Sequence, residues 1–97
     1  MTHKNIIIQS KKELLQIILG IKNQVDLEAF FVDLLTTKEF YELALRWQIV
    51  KELSQGTPQR IVAKKLGVGI ATVTRGAREL SDPKGAFRKQ LKKNIIL

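Results

Sequence analysis

The sequence predicts an all-α protein with six helices in a single domain over residues 1–97. The chain has only two prolines and six glycines, and runs of alternating polarity that would indicate β-strands are few. Apolar residues instead recur at the three- and four-residue spacing of a helix face. A chain of 97 residues can build one small core, to which dimerisation would add buried surface.

Two predicted helices in the first part of the chain have wide apolar faces. Residues 10–22 are apolar nearly all round, so this helix requires burial on more than one side, which a second subunit would supply. We expect residues 1–8 to form an arm, or residues 6–8 to pair with a partner subunit. The next helix is indicated by a stripe at helical spacing: Leu27, Phe30, Phe31, Leu34 and Leu35.

A capping pattern predicts where the third helix begins. The Thr36 hydroxyl can accept a backbone N–H while the Glu39 carboxylate reaches back, and Gly56 is expected to end the helix. We expect Trp47 to lie in the core or at an interface. The predicted apolar side of this helix consists of Phe40, Leu43, Ala44, Trp47 and Val50.

Three shorter helices are predicted in the second half of the chain. Thr57 and Pro58 supply a capping hydroxyl and a first-turn proline for a helix that Gly67 ends. Another helix covers about 70–80, and residues 81–83 are expected to cap a basic last helix. The apolar residues of that last helix are Phe87, Leu91 and Ile95.

The excess positive charge lies entirely in the second half of the chain. Residues 1–56 are neutral overall, whereas residues 57–97 contain ten Lys and Arg against Glu79 and Asp82, which gives the whole net charge of +8. Such asymmetry indicates a polyanionic partner, of which nucleic acid is the usual one. A solvated basic face without a partner explains the charge alone equally well.

Several classes of function are disfavoured. The chain has no cysteine, and its one histidine, His3, lies at a terminus where a polar surface role is expected, so we predict no metal site. It shows no phosphate loop, no nucleophile with a base and no paired carboxylates, which argues against an enzyme. No apolar run is long enough to cross a bilayer and no signal peptide opens the chain, which predicts a cytoplasmic protein without a membrane partner.

Residues 59–78 have the spacing of a helix–turn–helix. Ala63 is small at the fifth position, where the two helices cross, and Gly67 at the ninth allows the positive φ of the turn. The second helix would lie in the major groove of DNA. The positions that face the core are held by Val62, Leu66, Val68 and Val73.

Residues of both helices are candidates for DNA contacts. In the second helix, Ile70 and Ala71 can touch thymine methyl groups and the threonines can bond bases or phosphates, while backbone N–H groups at its start can meet a phosphate. Residues of the first helix would position the duplex by contacts with the DNA backbone. The predicted DNA-binding set is Gln59, Arg60, Lys64, Gly69, Ile70, Ala71, Thr72, Thr74, Arg75 and Arg78.

Gly76 stands where such a motif normally has an apolar side chain. A glycine inside a helix costs about 1 kcal/mol relative to alanine, so its presence requires a reason. Either Trp47 or Phe40 packs closely against it, or it leaves space for a flat ligand.

The segment 69–76, GIATVTRG, resembles the signature of the tryptophan repressor family. The likeness extends over about 10–92 and includes the segments 34–36 and 43–46. In that family two interlocked chains form a helical dimer, and L-tryptophan binds between the core and the DNA-reading head. The resemblance implies a six-helix intertwined homodimer with a helix–turn–helix reading head. Its parts would be a dimerisation core over 10–56, the helix–turn–helix over 57–80 and a C-terminal helix over 81–97.

The resemblance also implies a ligand site. Arg75 and Arg46 would lie on either side of the indole, with Arg46 helping to hold the carboxylate, and Gly76 would leave room for the ring. Carbonyl groups near Asp33 would help surround the amino acid. Glu79 replaces a serine of the family and can pair with the ligand's ammonium or remain a surface residue. The implied ligand-binding set is Leu35, Thr36, Arg46, Thr72, Arg75, Gly76 and Glu79.

These expectations combine into a sequence-specific repressor of double-stranded operator DNA. L-tryptophan or a related small aromatic corepressor would control it, with no other cofactor. The short connection 56–59 and the segment 31–36 resemble the YerC-type branch of the superfamily, so the alternative is a ligand-independent DNA-binding regulator. A protein-interaction module that uses the apolar first helix is a further alternative, and RNA is disfavoured because exposed aromatic platforms are lacking.

Overall fold

The computed structural model describes residues 2–94, which form six helices and no strand. The all-helical class is therefore confirmed for this part of the chain, and none of its helices is long and apolar enough to cross a membrane. The chain divides into two compact units, one ending at Phe40 and the other beginning at Tyr41. The helices are α1 His3–Gly20, α2 Gln24–Leu34, α3 Thr37–Ser54, α4 Gln59–Leu66, α5 Ile70–Leu80 and α6 Ala86–Asn94.

Helix α1 begins at His3, so the predicted arm over residues 1–8 and the predicted helix start at residue 10 are wrong. Thr2 supplies a cap that the sequence analysis overlooked, because its hydroxyl accepts the N–H of Asn5 at 3.2 Å. The isoleucines at 6–8 then continue the helix instead of forming an extended segment. Helix α2 begins in the same way, with the Asn23 side chain accepting the N–H of Asp26 at 2.9 Å.

The first unit leaves most of its apolar side chains uncovered. Neither α1 nor α2 contains a buried residue, and the ring contacts within the unit are limited to Phe30 with Phe31 and Phe31 with Phe40 in the described residues. The predicted stripe of α2 is thus covered only in part. The large apolar side chains that stay exposed on α1 and α2 are Ile6, Ile7, Ile8, Leu15, Ile17, Leu19, Val25, Val32 and Leu34.

The capping box at the start of α3 is confirmed. The N–H of Glu39 donates to Thr36 Oγ1 at 3.1 Å, and the N–H of Thr36 donates to Glu39 Oε1 at 2.9 Å. These two bonds from Thr36, the backbone one first, lower the pKa of Glu39. Two otherwise unsatisfied donors at the start of the helix are therefore paired.

The second unit has a core in two adjoining clusters. Val62 of α4 and Val73 of α5 are completely buried with Ile49 of α3, and Val50 is buried with Leu80 and Leu91. The core positions predicted from the helix–turn–helix spacing, which also include Leu66 and Val68, are confirmed. Trp47 lies at the edge of the second cluster against Phe87, with the ring centroids 6.3 Å apart, which confirms its core role.

The buried side of α3 differs from the predicted one. Ile49 and Glu52 are buried, whereas Leu43 and Ala44 are exposed. The prediction followed one stripe along the whole helix, but α3 packs with α4 and α5 only through its second half. In that half, Trp47 and Val50 of the predicted stripe pack in the core as expected, and Ile49 and Glu52 are buried beside them.

Two glycines make the turns that flank α4. Gly56 has φ +90° after α3, and Gly67 has φ +67° after α4, so the predicted ends of both helices are confirmed. The predicted cap by Thr57 is wrong, because its hydroxyl donates to Glu52 Oε1 at 3.1 Å instead. Pro58 occupies the N-cap position and makes no side-chain cap.

The connection from α5 to α6 is longer than predicted. The Ser81 hydroxyl donates back to the carbonyl of Arg78 at 2.6 Å, so it closes α5. Asp82 accepts the N–H of Lys84 at 2.9 Å within the turn, and α6 begins only at Ala86. The predicted cap at residues 81–83 is therefore wrong. Of the predicted apolar residues of α6, Phe87 and Leu91 pack in the core, and Ile95 lies outside the described residues.

Replacement of Gly67 by alanine should destabilise the protein by about 1–2 kcal/mol, because a Cβ is disfavoured in the left-handed conformation. No neighbouring atom lies where that Cβ would be, so the loss would report backbone strain alone. The control is Gly20→Ala, where the added Cβ also meets nothing and φ is not positive. Chemical denaturation measures both; equal stability of the two variants would contradict the role assigned to Gly67.

Candidate functional site

The ten residues predicted to bind DNA all have exposed side chains or, for glycine, exposed backbone. Helix α5 begins at Ile70 after Gly69, which has no side chain to cap it. Within residues 2–94 the N–H groups of Ile70 and Ala71 have no hydrogen-bond partner, since the first bonds of the helix come from Thr72 and Val73 to Gly69. The start of α5 thus presents free backbone donors to solvent, as an anion contact requires.

A side-chain hydrogen bond joins α4 and α5 on this surface. The Thr74 hydroxyl donates to Gln59 Oε1 at 2.9 Å. The bond brings together two residues 15 positions apart that the sequence analysis assigned separately to DNA contact. It commits the Thr74 proton, so toward an outside partner this hydroxyl acts as an acceptor.

A cavity of about 400 Å³ lies beside this surface, between α3, α5 and α6. Its volume is in the range of small-molecule sites, and it combines apolar walls with a few charged groups, as such sites do. Two guanidinium groups, Arg46 and Arg75, and one carboxylate, Glu79, supply the charge. The other lining residues are Ile49, Val50, Ala71, Thr72, Gly76 and Phe87.

Gly76 of α5 packs closely against α3. A Cβ built there would lie 3.1 Å from Ile49 Cγ2, with Leu53 and Val50 at 3.8 and 3.9 Å. The predicted neighbour, Trp47 or Phe40, is therefore wrong, because α3 turns Ile49 toward α5 and Trp47 toward Phe87. Gly76 also lines the cavity, so close packing and open space occur at the same residue.

The structure brings together five of the seven predicted ligand-binding residues, which are Arg46, Thr72, Arg75, Gly76 and Glu79. Leu35 and Thr36 belong to the first unit and are not among the lining residues. Leu35 ends α2, and the Thr36 hydroxyl is used in the capping box. Their role in binding stays a prediction.

Four lining residues are outside the predicted ligand-binding set: Ile49, Val50, Phe87 and Ala71, the last of which was assigned only to DNA contact. A signal for the first two was available, because they follow Arg46 by three and four positions and so share its side of α3. Thr72, Arg75, Gly76 and Glu79 show the same spacing on α5. Phe87 depends on how α6 packs, which no local pattern indicates.

Glu52 is a buried carboxylate that the sequence analysis did not single out. Lys65 Nζ donates to Glu52 Oε2 at 2.9 Å and the Thr57 hydroxyl to Oε1 at 3.1 Å. The hydrogen bond from Lys65 is the main cause that lowers the pKa of Glu52, against the raising effect of burial. The carboxylate therefore ties the end of α3 to the far end of α4. No group of three or more residues in 2–94 is arranged to hold a metal ion.

Glu52→Gln should lower the free energy of unfolding at neutral pH. It should also make that free energy depend less on pH in the acid range. The pKa of Glu52 is lower in the folded protein, so its stabilisation is complete above the ordinary value of 4.5 and is lost as the pH falls through the folded pKa. The stability gap between wild type and variant should therefore shrink below about pH 4.5. Denaturation curves from pH 7 to pH 3 measure the gap.

The control for this experiment is Glu28→Gln, which removes an exposed carboxylate from α2. It should leave the acid dependence close to that of the wild type. If the difference in stability between the wild type and Glu52→Gln stayed constant with pH, the ionised carboxylate of Glu52 would not contribute to stability.

Comparison with known proteins gives a consistent set of relatives. A family model described as Trp repressor protein matches residues 9–95. The chain is similar to the Trp operon repressor homolog of Vibrio parahaemolyticus, with 40% identity over 81 residues, 79% of each chain. It is also similar to the homolog of Vibrio cholerae, with 44% identity over 69 residues, 66% of this chain and 67% of the relative. The homolog of Chlamydia trachomatis serovar L2 is 34% identical over 85 residues, 82% of this chain and 90% of the relative. No solved structure matches the chain.

Proposed function

This chain belongs to the Trp repressor family, and on that basis we propose that it is a DNA-binding transcription repressor with α4 and α5 as a helix–turn–helix head. The family is regulatory and not enzymatic. The observation that carries the proposal is the α4–α5 pair itself. Gly67 makes its turn, two valines fix it to the core, and the start of α5 is exposed with free backbone donors.

The charge of this surface supports DNA as the partner. Arg60, Lys64, Arg75 and Arg78 are all exposed on α4 and α5, and the predicted set contains no carboxylate. Phosphate contacts from such residues would fix the position of the head on the duplex. Ile70, Ala71 and Thr72 would then read bases from the start of α5.

We place the partner subunit of a homodimer on the first unit. Helices α1 and α2 have no buried residue, and their apolar side chains are exposed as a group. Burial of apolar surface contributes about 25 cal/mol per Å², so a second copy covering these helices would stabilise both chains substantially. Two reading heads would then meet successive major grooves about 34 Å apart.

A small aromatic amino acid such as L-tryptophan is the proposed corepressor, and the cavity beside α5 is its site. Arg46 and Arg75 can stack on an aromatic ring and attract a carboxylate, while Glu79 can pair with an ammonium group. Thr72 and Arg75 belong both to the cavity and to the predicted DNA surface. A ligand that binds the DNA-competent arrangement more tightly would shift the population toward it.

L-tryptophan should bind the purified protein at one site per chain, and Arg75→Ala should weaken the binding about tenfold, because it removes a stacking guanidinium. Calorimetric titration measures both affinities, with indole propionate as a ligand that lacks the ammonium. The control is Lys38→Ala, which removes an exposed cation at the start of α3, outside the cavity.

Absence of heat from L-tryptophan at several temperatures would remove it as the corepressor. The DNA-binding function would be untouched by that result, and the ligand-independent regulator would take its place. Unchanged affinity in Arg75→Ala, with a normal wild-type titration, would move the ligand out of this cavity.

Arg60→Ala and Lys64→Ala should each weaken DNA binding about equally for all sequences. Each should also reduce the slope of log affinity against log salt by about one per chain, because one phosphate contact is lost. The duplex can be obtained by repeated selection from random sequences with L-tryptophan present. Lys12→Ala, exposed on α1, is the control. Binding that does not depend on salt would contradict the proposed electrostatic surface.

A further inference from the structure

A second cavity, of about 630 Å³, lies at the turn from α5 into α6. Four of its nine lining residues are cationic, and none is acidic: Lys84, Arg88, Lys89 and Lys92. The remaining lining residues include the hydroxyls of Ser54 and Ser81. Four of the 17 lysines and arginines of the chain therefore surround one concave site.

One of the four cations is held in place. Arg88 Nε donates to the carbonyl of Leu80 at 2.8 Å, where the end of α5 leaves carbonyl groups without helical partners. A guanidinium has five N–H donors, and the other four make no hydrogen bond within residues 2–94. The group is thus a fixed planar fork, the form that binds phosphate through two parallel hydrogen bonds.

The nearby carboxylate of Asp82 offsets only part of the positive charge of the site. Asp82 accepts the N–H of Lys84 within its own turn, and Glu79 lines the other cavity. In residues 2–94 the ion pair is Lys65 with Glu52, which lies elsewhere in the unit. The four cations are therefore available to an outside anion.

The position of the cavity separates it from the base-reading residues of the predicted DNA surface, although Arg78 of that surface lies near the same end of α5. Helix α5 has 11 residues, so it is about 16 Å long at 1.5 Å per residue. The base-reading residues are at its start and the cavity is at its end. With α5 entering a major groove about 8.5 Å deep end-on, by its first turn, the cavity at the far end of the helix would lie outside that groove.

The lining also indicates what kind of anion fits. No aromatic side chain lines this cavity, so it offers no surface on which a nucleobase would stack. The lysines are mobile point charges around one fixed guanidinium, a combination suited to several phosphate oxygens. We propose that this cavity binds a free small molecule with two or more phosphate groups, independently of DNA.

Tripolyphosphate is a suitable probe, titrated by calorimetry into the full chain at about 0.15 M salt, where attraction between distant exposed charges is screened. We expect one saturable site per chain. Lys84, Lys89 and Lys92 replaced together by glutamine should lower the affinity at least about tenfold, because charge-assisted hydrogen bonds are lost. The matched control replaces Lys22, Lys38 and Lys51 by glutamine; it removes the same charge from positions outside α1, α2 and both cavities and should keep the affinity.

Arg88→Lys gives a second test at constant net charge. It removes the fork and its bond to Leu80, so the affinity for tripolyphosphate should again fall about tenfold, and thermal unfolding would verify that the variant is folded. Equal affinities in the two triple variants, or no saturable binding by the wild type, would overturn the proposal. A loss of DNA affinity and salt slope in the Lys84, Lys89 and Lys92 variant would also overturn it and assign the surface to the DNA backbone.

Discussion

The close packing of α5 against α3 at Gly76 is the contact beside which the candidate ligand cavity of the second unit lies. With no Cβ at this position, the backbone of α5 can lie directly on Ile49, where even a methyl group would come within 3.1 Å of Cγ2. Arg75 and Thr72, close to Gly76 on α5, line the cavity together with Ile49. The helix pays about 1 kcal/mol in propensity for a glycine, and the packing of Ile49 against Val62 and Val73 offsets that cost.

The same residues serve the cavity and the exposed start of α5. Ala71, Thr72 and Arg75 line the cavity, and all three are in the surface predicted to meet DNA. A ligand that moves Arg75 would therefore directly alter the protein surface predicted to contact DNA. No chain of intervening residues would be needed to connect the two sites. Coupling between two sites requires an element that both sites bias, and here that element is one helix, joined to α4 by the bond from Thr74 to Gln59.

Local chemistry explains which features could be predicted from the sequence. The left-handed turn at Gly67 and the capping box of Thr36 and Glu39 depend on residues within a few positions of each other, and both are confirmed. Thr57 shows where such local prediction fails. Its hydroxyl could cap the start of α4 or donate to the carboxylate of Glu52 in α3, and it donates to Glu52. Only the packed structure decides between them. The cavity could be predicted only in part. Residue spacing indicates which side chains share a face of α3 or of α5, whereas the position of Phe87 depends on how α6 packs.

The two units differ in how far they bury their apolar side chains, and this difference bears on how two chains would associate. The second unit buries Val50, Val62, Val73, Leu80 and Leu91 among its own helices and carries the whole positive charge. The first unit is neutral overall and leaves most of its large apolar side chains exposed. Association through the basic unit would bring like charges together, which costs free energy, whereas association through the neutral unit buries apolar surface at little electrostatic cost. Apolar area and charge therefore both favour the first unit for the proposed contact between chains, and the basic unit for the proposed contacts with anions.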